Sequence, residues 1–146
     1  MTKYTTFSDK ETKLLAQKLA GKIKFGVIAL FGELGAGKTT FVQGFAKGLG
    51  IKGKIISPTF VLIRQHPISG TKKVLYHIDL YRLNNMKGLK QLGLQEIWSD
   101  PKNIVLIEWA DKIKNLLPKE VIKIYLKVVD ANTRKITLHS PWVVLF

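Results

Sequence analysis

The chain has 146 residues, 46% of them hydrophobic and 23% charged, which predicts one soluble globular domain over residues 1–146. It has no cysteine, so disulfides and thiolate metal sites are excluded, and 24 Lys and Arg against ten Asp and Glu give a net charge of +14. No apolar stretch reaches the length of a signal peptide or a membrane span, so we expect a cytoplasmic protein without membrane contact.

The first predicted element is a helix. Ser8 followed by Glu11 has the spacing of a capping box, and the helix should run to about Ala20 and stop at Gly21. Its helical spacing places three apolar residues on one side, namely Leu14, Leu15 and Leu19.

A buried strand and a second helix are predicted next. Residues 25–31 (FGVIALF) form a nearly continuous apolar run, as in a strand covered on both faces of a parallel sheet. A glycine-rich turn leads to a helix over residues 38–49. Its apolar positions recur at helical spacing: Phe41, Val42, Phe45, Ala46 and Leu49.

Strand patterns dominate the rest of the chain. Residues 59–65 and 73–82 read as two strands around a turn at 67–70, and residues 84–98 read as a short helix and a loop. A further central strand is predicted at 104–107. Residues 121–129 and 134–139 alternate around a polar turn, which indicates a C-terminal β-hairpin. The order of elements predicts a three-layer α/β domain with a mixed, mainly parallel sheet.

The glycine-rich turn carries the most specific motif. Residues 32–39 (GELGAGKT) match G-x-x-x-x-G-K-[ST] at every fixed position, after a predicted strand and before a predicted helix. Gly32, Gly35 and Gly37 let backbone N–H groups approach a triphosphate, and the helix adds the positive end of its dipole. Lys38 can reach the β- and γ-phosphates, and the Thr39 hydroxyl can ligate magnesium. The motif therefore predicts ATP and Mg²⁺ as ligands.

Such a loop needs an acid at the end of a neighbouring strand to hold magnesium, directly or through water. Glu108 ends the apolar strand at 104–107 and is one candidate, although it could also be a plain surface acid. Asp79 is the other, because strand alternation places it with His77 and Tyr81 on a polar face. That face could instead be solvated. The apolar face would hold Val74, Tyr76, Ile78 and Leu80.

Three further features are ambiguous by themselves. Arg82 could pair with an acid or a phosphate, and residues 57–60 (SPTF) read alone are a loop at the start of a strand. Trp109, beside Glu108, would normally be a partly buried aromatic side chain.

Together, five segments resemble one family closely. They are residues 32–40 (GELGAGKTT), 57–60 (SPTF), 76–83 (YHIDLYRL), 93–98 (GLQEIW) and 107–112 (IEWADK). The pattern looks like the bacterial TsaE (YjeE) ATPase family of tRNA threonylcarbamoyladenosine biosynthesis. The resemblance covers nearly the whole chain, and the phosphate loop followed by S-P-T-F and H-x-D-x-Y-R makes it highly specific.

The resemblance implies a compact P-loop fold, slow ATP hydrolysis and two protein partners, TsaD and TsaB. Together they place threonylcarbamoyl on the N6 amine of the adenosine beside the anticodon, so this chain would reach tRNA indirectly, through the complex. The chain is more basic than we expect for the family, and the family varies around Asp111, to which we assign no role.

The family's site residues map onto matching positions of this sequence. The nucleotide-binding set is Gly32, Glu33, Leu34, Gly35, Ala36, Gly37, Lys38, Thr39 and Thr40, with Arg134 as a candidate contact to the adenine. The metal set is Thr39 and Glu108, and the catalytic set is Lys38, Asp79 and Glu108. The switch or partner set is Ser57, Pro58, Thr59, His77, Tyr81, Arg82 and Trp109.

The resulting hypothesis is an ATPase that acts as a nucleotide-gated assembly factor. Two other classes remain open: a small-molecule kinase, which would need an acceptor pocket and usually an arginine-bearing lid, and an RNA-binding module driven by the positive charge. With 21 Lys and three Arg, a lid is unfavoured. The lysines form no dense run, so we interpret the charge mainly as a solvated, Lys-biased surface.

Overall fold

A computed structural model describes residues 1–55, 63–83 and 92–142, which build one mixed sheet between helical layers. Its strands are β1 (Thr2–Thr6), β2 (Gly26–Phe31), β3 (Ile63–Pro67), β4 (Val74–Asp79), β5 (Asn103–Glu108), β6 (Ile122–Val128) and β7 (Arg134–His139). Its helices are α1 (Asp9–Lys22), α2 (Lys38–Gly48) and α3 (Leu94–Ser99), with a 3₁₀ segment at Ala110–Leu116. None of the helices in these ranges combines the length and the apolarity that crossing a bilayer requires.

The sheet has the order β1-β7-β6-β2-β5-β4-β3. The four central strands run parallel, whereas β3 at one edge and β7 and β1 at the other are antiparallel to their neighbours. The register places Glu108, the last residue of β5, opposite Asp79 on β4 and Leu30 on β2. The carboxyl ends of these strands therefore meet, which is where open α/β sheets bind ligands.

Apolar side chains cover both faces of the sheet. On one face α1 and α2 pack over the central strands, with Leu19 and Phe41 fully buried against residues such as Leu106. On the other face, Leu94 of α3 and Ile113 of the 3₁₀ segment pack against the opposite side of the same strands. This double coverage explains the continuous apolar runs in the sequence and confirms the three-layer α/β expectation.

The first helix begins where the capping box indicated. Ser8 Oγ accepts a hydrogen bond from the Glu11 backbone N–H at 3.1 Å, and the Glu11 carboxylate accepts one from the Phe7 N–H at 2.6 Å. The predicted stop at Gly21 was wrong, since α1 continues to Lys22. A single glycine costs a helix only part of a kcal/mol, up to about 1 kcal/mol, which packing readily overcomes.

Several expectations need correction. Leu14 is 45% exposed rather than on the buried side of α1, and Phe25 is 55% exposed because β2 begins at Gly26. The strand predicted over residues 73–82 ends at Asp79, and the chain then turns. The helix predicted over 38–49 ends one residue earlier, at Gly48.

Two elements were not predicted. Strand β1 pairs with β7, so that Thr2 lies opposite Leu138, and its polar sequence carries no sign of a partner so far along the chain. The 3₁₀ segment follows Trp109 without a pattern of its own. Residues 59–62 of one predicted strand and 84–91 of the predicted helix-and-loop region lie outside the described residues.

Candidate nucleotide-binding site

The glycine-rich loop joins the end of β2 to the start of α2. Gly35 and Gly37 have φ angles of +81° and +100°, which favour glycine. At Gly32 a Cβ atom would lie 2.6 Å from the Leu126 carbonyl oxygen, so a side chain would force the loop away from β6. Gly37 precedes the first residue of α2 and has no side chain to cap it. The free N–H groups of this helix end therefore face the cleft as a potential anion site.

Lys38 folds back over the loop. Its ammonium donates hydrogen bonds to the carbonyl oxygens of Gly32, at 2.5 Å, and Glu33, at 2.9 Å, and lies 3.9 Å from the ring centroid of Trp109. Burial lowers the pKa of Lys38 from its ordinary value, an effect opposed chiefly by the nearby Glu108 carboxylate. The ammonium is thus held at the loop by carbonyl groups that a phosphate oxygen could replace.

Thr39 and Glu108 meet although 69 positions separate them in sequence. The Thr39 hydroxyl donates a hydrogen bond of 2.9 Å to Glu108 Oε1, and Glu108 is only 2% exposed. The second oxygen, Oε2, accepts a hydrogen bond of 2.5 Å from His77 Nε2. Glu108 is therefore not a plain surface acid, since its carboxylate is held from two sides inside the protein.

Asp79 lies beside Glu108 at the end of β4 and is 3% exposed. Its Oδ1 accepts a hydrogen bond of 2.9 Å from the Tyr81 backbone N–H, which stabilises the turn after the strand. His77 is fully buried on the same face, so this face of β4 is not solvated. The sheet thus gathers two carboxylates and an imidazole next to the phosphate loop.

Trp109 follows Glu108 with a φ of +59°, a conformation that is uncommon for any residue except glycine. Its ring contacts both the Lys38 ammonium and the Tyr81 ring, whose centroid is 5.0 Å away. Lys112, which the sequence analysis left without a role, donates hydrogen bonds to the carbonyl oxygens of Tyr81 and Leu83. Only the folded chain relates this lysine to the site.

Arg134 reaches the loop from the C-terminal hairpin. Its guanidinium donates a hydrogen bond of 3.1 Å to the Gly35 carbonyl and further bonds to the carbonyls of Asp130, Ala131 and Thr133. The turn is itself ordered by Asp130, whose pKa is lowered mainly by the hydrogen bond from the Asn132 backbone. The hairpin therefore fixes Arg134 at the mouth of the site.

These groups surround a cleft of about 380 Å³. It is lined by Asp9, Leu34, Gly35, Gly37, Lys38, Thr39, Thr40, Asp79, Tyr81, Glu108, Trp109 and Arg134. Asp9 is the one residue in this list to which the sequence analysis gave no role. It follows the helix-capping residue Ser8, and this position does not indicate that it would line a binding site. Leu34 is 74% exposed and Tyr81 43% exposed, and Arg82 is also exposed. The predicted switch residues Ser57, Pro58 and Thr59 lie outside the described residues.

The donor set at Thr39 and Glu108 fits Mg²⁺, because a hydroxyl and a carboxylate are the hard oxygen ligands that this ion prefers. Within the three described ranges, no group of three or more His, Asp or Glu side chains could hold a metal by itself. An ion here would need phosphate oxygens or water to complete its coordination. This partial donor set is the kind that Mg²⁺ occupies together with a nucleotide.

Comparisons with known proteins agree on one family. The family model for "Threonylcarbamoyl adenosine biosynthesis protein TsaE" matches residues 6–136. The tRNA threonylcarbamoyladenosine biosynthesis protein TsaE of Bacillus subtilis is 40% identical over 136 residues, covering 92% of this chain and 83% of that protein. Its namesake in Rickettsia prowazekii is 40% identical over 140 residues, covering 94% of each chain.

A solved structure is also similar. The crystal structure of YdiB from Bacillus subtilis matches this fold with a TM-score of 0.78 and 34% sequence identity. The match covers 95% of this chain and 84% of that one.

Proposed function

The chain belongs to the TsaE family and acts in tRNA threonylcarbamoyladenosine biosynthesis, and from that premise we propose that it is a Mg²⁺-dependent ATPase that gates assembly of the modifying complex. One observation carries the proposal: the Thr39 hydroxyl of the phosphate loop and the Glu108 carboxylate of a neighbouring strand lie 2.9 Å apart beside Lys38. P-loop ATPases need this combination of loop hydroxyl and strand-end acid.

The nucleotide would be held by residues 32–40. Backbone N–H groups of the loop and of the α2 N-terminus surround the phosphates, and the Lys38 ammonium exchanges its carbonyl partners for phosphate oxygens. Arg134 contacts the base end of the nucleotide from the hairpin. Thr40, which lines the cleft, follows Thr39 in the first turn of α2.

Magnesium would be held by Thr39 and by Glu108, directly or through water, and supplies charge neutralisation at the transferring phosphoryl group. The Thr39 hydroxyl donates a hydrogen bond to Glu108 Oε1, so the lone pairs of its oxygen remain available to a metal ion. Asp79, buried beside this pair, orients the attacking water, and Lys38 neutralises charge that develops on the phosphate oxygens.

Hydrolysis by the isolated chain would be slow. The Arg134 guanidinium is engaged by carbonyls of the hairpin turn and of Gly35, which leaves it poorly placed to reach a transferring phosphoryl group. The partners, proteins of the TsaD and TsaB families, complete the site and stimulate turnover. Tyr81 and Arg82 change arrangement with the state of the nucleotide. tRNA meets this chain only through the complex, in the cytoplasm.

The test is ATP binding and hydrolysis by the purified chain, with and without proteins of the TsaD and TsaB families. We expect slow turnover alone and a marked increase with both partners. Lys38→Ala should weaken Mg-ATP binding about 10- to 100-fold, because it removes a charged hydrogen-bond donor worth about 1.5–3 kcal/mol. Lys47→Ala, at an exposed lysine near the other end of α2, is the matched control and should bind normally.

Three results would contradict the proposal. Unchanged Mg-ATP affinity in Lys38→Ala would show that residues 32–40 are not the nucleotide-binding site. The absence of both stimulation and complex formation would remove the assembly role. Phosphoryl transfer from ATP to a small acceptor would instead favour a kinase.

A further inference from the structure

His77 is a buried polar residue that the proposed chemistry does not use. It lies in β4 and is 0% exposed. On its face of the sheet, Leu75 precedes it and Asp79 follows it on the strand, and it lies opposite Leu106 on β5 and Arg64 on β3. Burying a polar ring completely is costly unless it finds a partner. Its one hydrogen bond recorded in the described part of the chain goes to Glu108.

The hydrogen bond has a definite direction. A carboxylate only accepts, so in this contact His77 Nε2 is the donor. Nδ1 is left without a partner among the described residues. Among the described residues, the imidazole therefore makes a hydrogen bond through Nε2 alone, to Glu108 Oε2 at 2.5 Å.

A glutamate carboxylate without a second partner is poorly oriented, because its terminal torsion is broad. Here Thr39 binds Oε1 and His77 binds Oε2, so the two oxygens have different partners and the carboxylate plane is set. Removing the His77 donor would free this plane and would leave a buried acceptor oxygen unsatisfied.

We propose that His77 is a positioning residue that fixes the Glu108 carboxylate so that Oε1 faces Thr39 and the magnesium site. The proposal rests on the assignment of Thr39 and Glu108 as the metal-binding residues. It gives His77 a role inside the site rather than in contact with a partner protein, as its complete burial requires. Hydrogen-bond partners of metal ligands commonly control metal affinity about 10- to 100-fold.

The test measures metal affinity separately from nucleotide affinity. ADP binding is titrated without metal and at increasing Mg²⁺, and Mn²⁺ binding to the ADP complex is followed by electron paramagnetic resonance. His77→Leu, which removes the donor, should weaken Mg²⁺ and Mn²⁺ about 10- to 100-fold while the metal-free ADP affinity stays within about twofold. His77→Gln, whose amide nitrogen can replace Nε2, should recover most of the loss.

A double-mutant cycle identifies the residue through which His77 acts. In a Glu108→Gln background, His77→Leu should cause little further loss of Mn²⁺ affinity, since the carboxylate to be positioned is already gone. Thermal unfolding checks each variant, and if His77→Leu does not fold, His77→Asn replaces it because its shorter amide cannot reach Glu108.

The outcomes separate the two claims. If wild-type protein shows no effect of Mg²⁺ on ADP binding, the metal assignment fails. If wild-type protein shows the effect and the donor-less variant retains it, or loses metal and metal-free affinity equally, the positioning role is overturned.

Discussion

At the scale of single residues, the site depends on side chains that make two contacts at once. Lys38 donates hydrogen bonds to loop carbonyls and also lies over the Trp109 ring. The Glu108 carboxylate accepts hydrogen bonds from Thr39 and from His77. Asp79 accepts a hydrogen bond from the Tyr81 N–H and so stabilises the turn after β4. A substitution at any of them therefore changes local structure together with chemistry. Isosteric changes are needed to separate the two.

Asp79→Asn makes this separation. Asparagine keeps an oxygen that can accept the Tyr81 N–H, so we expect the melting temperature and the Mg-ATP affinity to stay close to wild type. It loses the charge that, in the proposed function, orients the attacking water, so the rate of ATP turnover should fall about 100-fold or more. Steady-state hydrolysis and calorimetric binding measure the two quantities.

Asp111→Asn is the control for Asp79→Asn, because Asp111 is an exposed acid near enough to Lys38 to act on it electrostatically, but it does not line the cleft. It should hydrolyse ATP at nearly the wild-type rate. Equal losses in the two variants would show that only the general negative potential matters, and undiminished turnover in Asp79→Asn would exclude its role in hydrolysis.

At the scale of elements, the loop is held in place by the packing of its helix. Helix α2 approaches α1 so closely that a Cβ atom on Gly44 would lie 2.4 Å from the Lys13 carbonyl oxygen, and one on Gly48 would lie 2.6 Å from that of Gln17. The two glycines thus allow backbone contact between the helices. This contact orients the α2 N-terminus, where the phosphates would bind.

Substituting alanine for glycine at two positions tests this packing. Gly44→Ala should lower the free energy of unfolding by about 1–3 kcal/mol, because the helices must separate to admit the methyl group. Gly21→Ala, on α1 with open space around it, should raise the free energy of unfolding by about 0.5–1 kcal/mol through its helix propensity. Urea unfolding of both variants measures the difference, and stabilisation by both would show that the helices are not in tight contact.

At the scale of the whole molecule, positive charge is widespread while acids are few. A groove of about 800 Å³ beside α1 and α2 is lined by Lys10, Lys13, Lys47, Lys52 and Lys54, and none of its lining residues in the described part of the chain is acidic. A second groove of about 470 Å³ by the C-terminal hairpin holds Lys114, Lys119 and Lys123, again without an acid. Basic clefts therefore occur in two separate places, as a Lys-biased solvated surface predicts.

We expect tRNA binding by the isolated chain to be weak and non-specific, and its affinity to fall about tenfold or more between 50 and 200 mM salt. Two triple variants test whether location matters. Changing Lys47, Lys52 and Lys54 to Gln, or Lys114, Lys119 and Lys123 to Gln, removes three charges from one groove or the other. Both should weaken tRNA binding equally in fluorescence anisotropy. A much larger loss of tRNA affinity in one triple variant than in the other, or tight tRNA binding at 200 mM salt, would support a dedicated RNA-binding surface.

Local patterns in the sequence predicted most of the fold. The capping box at Ser8, the apolar runs of β2 and β5 and the alternation of β6 and β7 each reflect an interaction within a few residues or burial on both faces, so they are visible in the sequence. The family and the fold class are confirmed on the same basis. The role of Arg134 at the adenine stays a prediction.

Elements and contacts that depend on distant parts of the chain were not predictable in this way. Strand β1 forms only because it pairs with β7. His77 is buried only because other elements cover both faces of β4. The hydrogen bonds of Lys112 form only because the turn after β4 lies beside it. No local signal encodes such distant partners.

The sequence alone determined the residues on which the proposed chemistry depends: a glycine-rich loop of the phosphate-binding type, its lysine and threonine, and an acid at the end of a buried strand. Short-range backbone geometry and residue type suffice for these, because the loop must have glycines at particular positions and the strand must be apolar. The tertiary structure decided which groups meet. The parallel register of β4 and β5 brings Asp79 beside Glu108, and only this register places the buried imidazole of His77 against the carboxylate that faces Thr39.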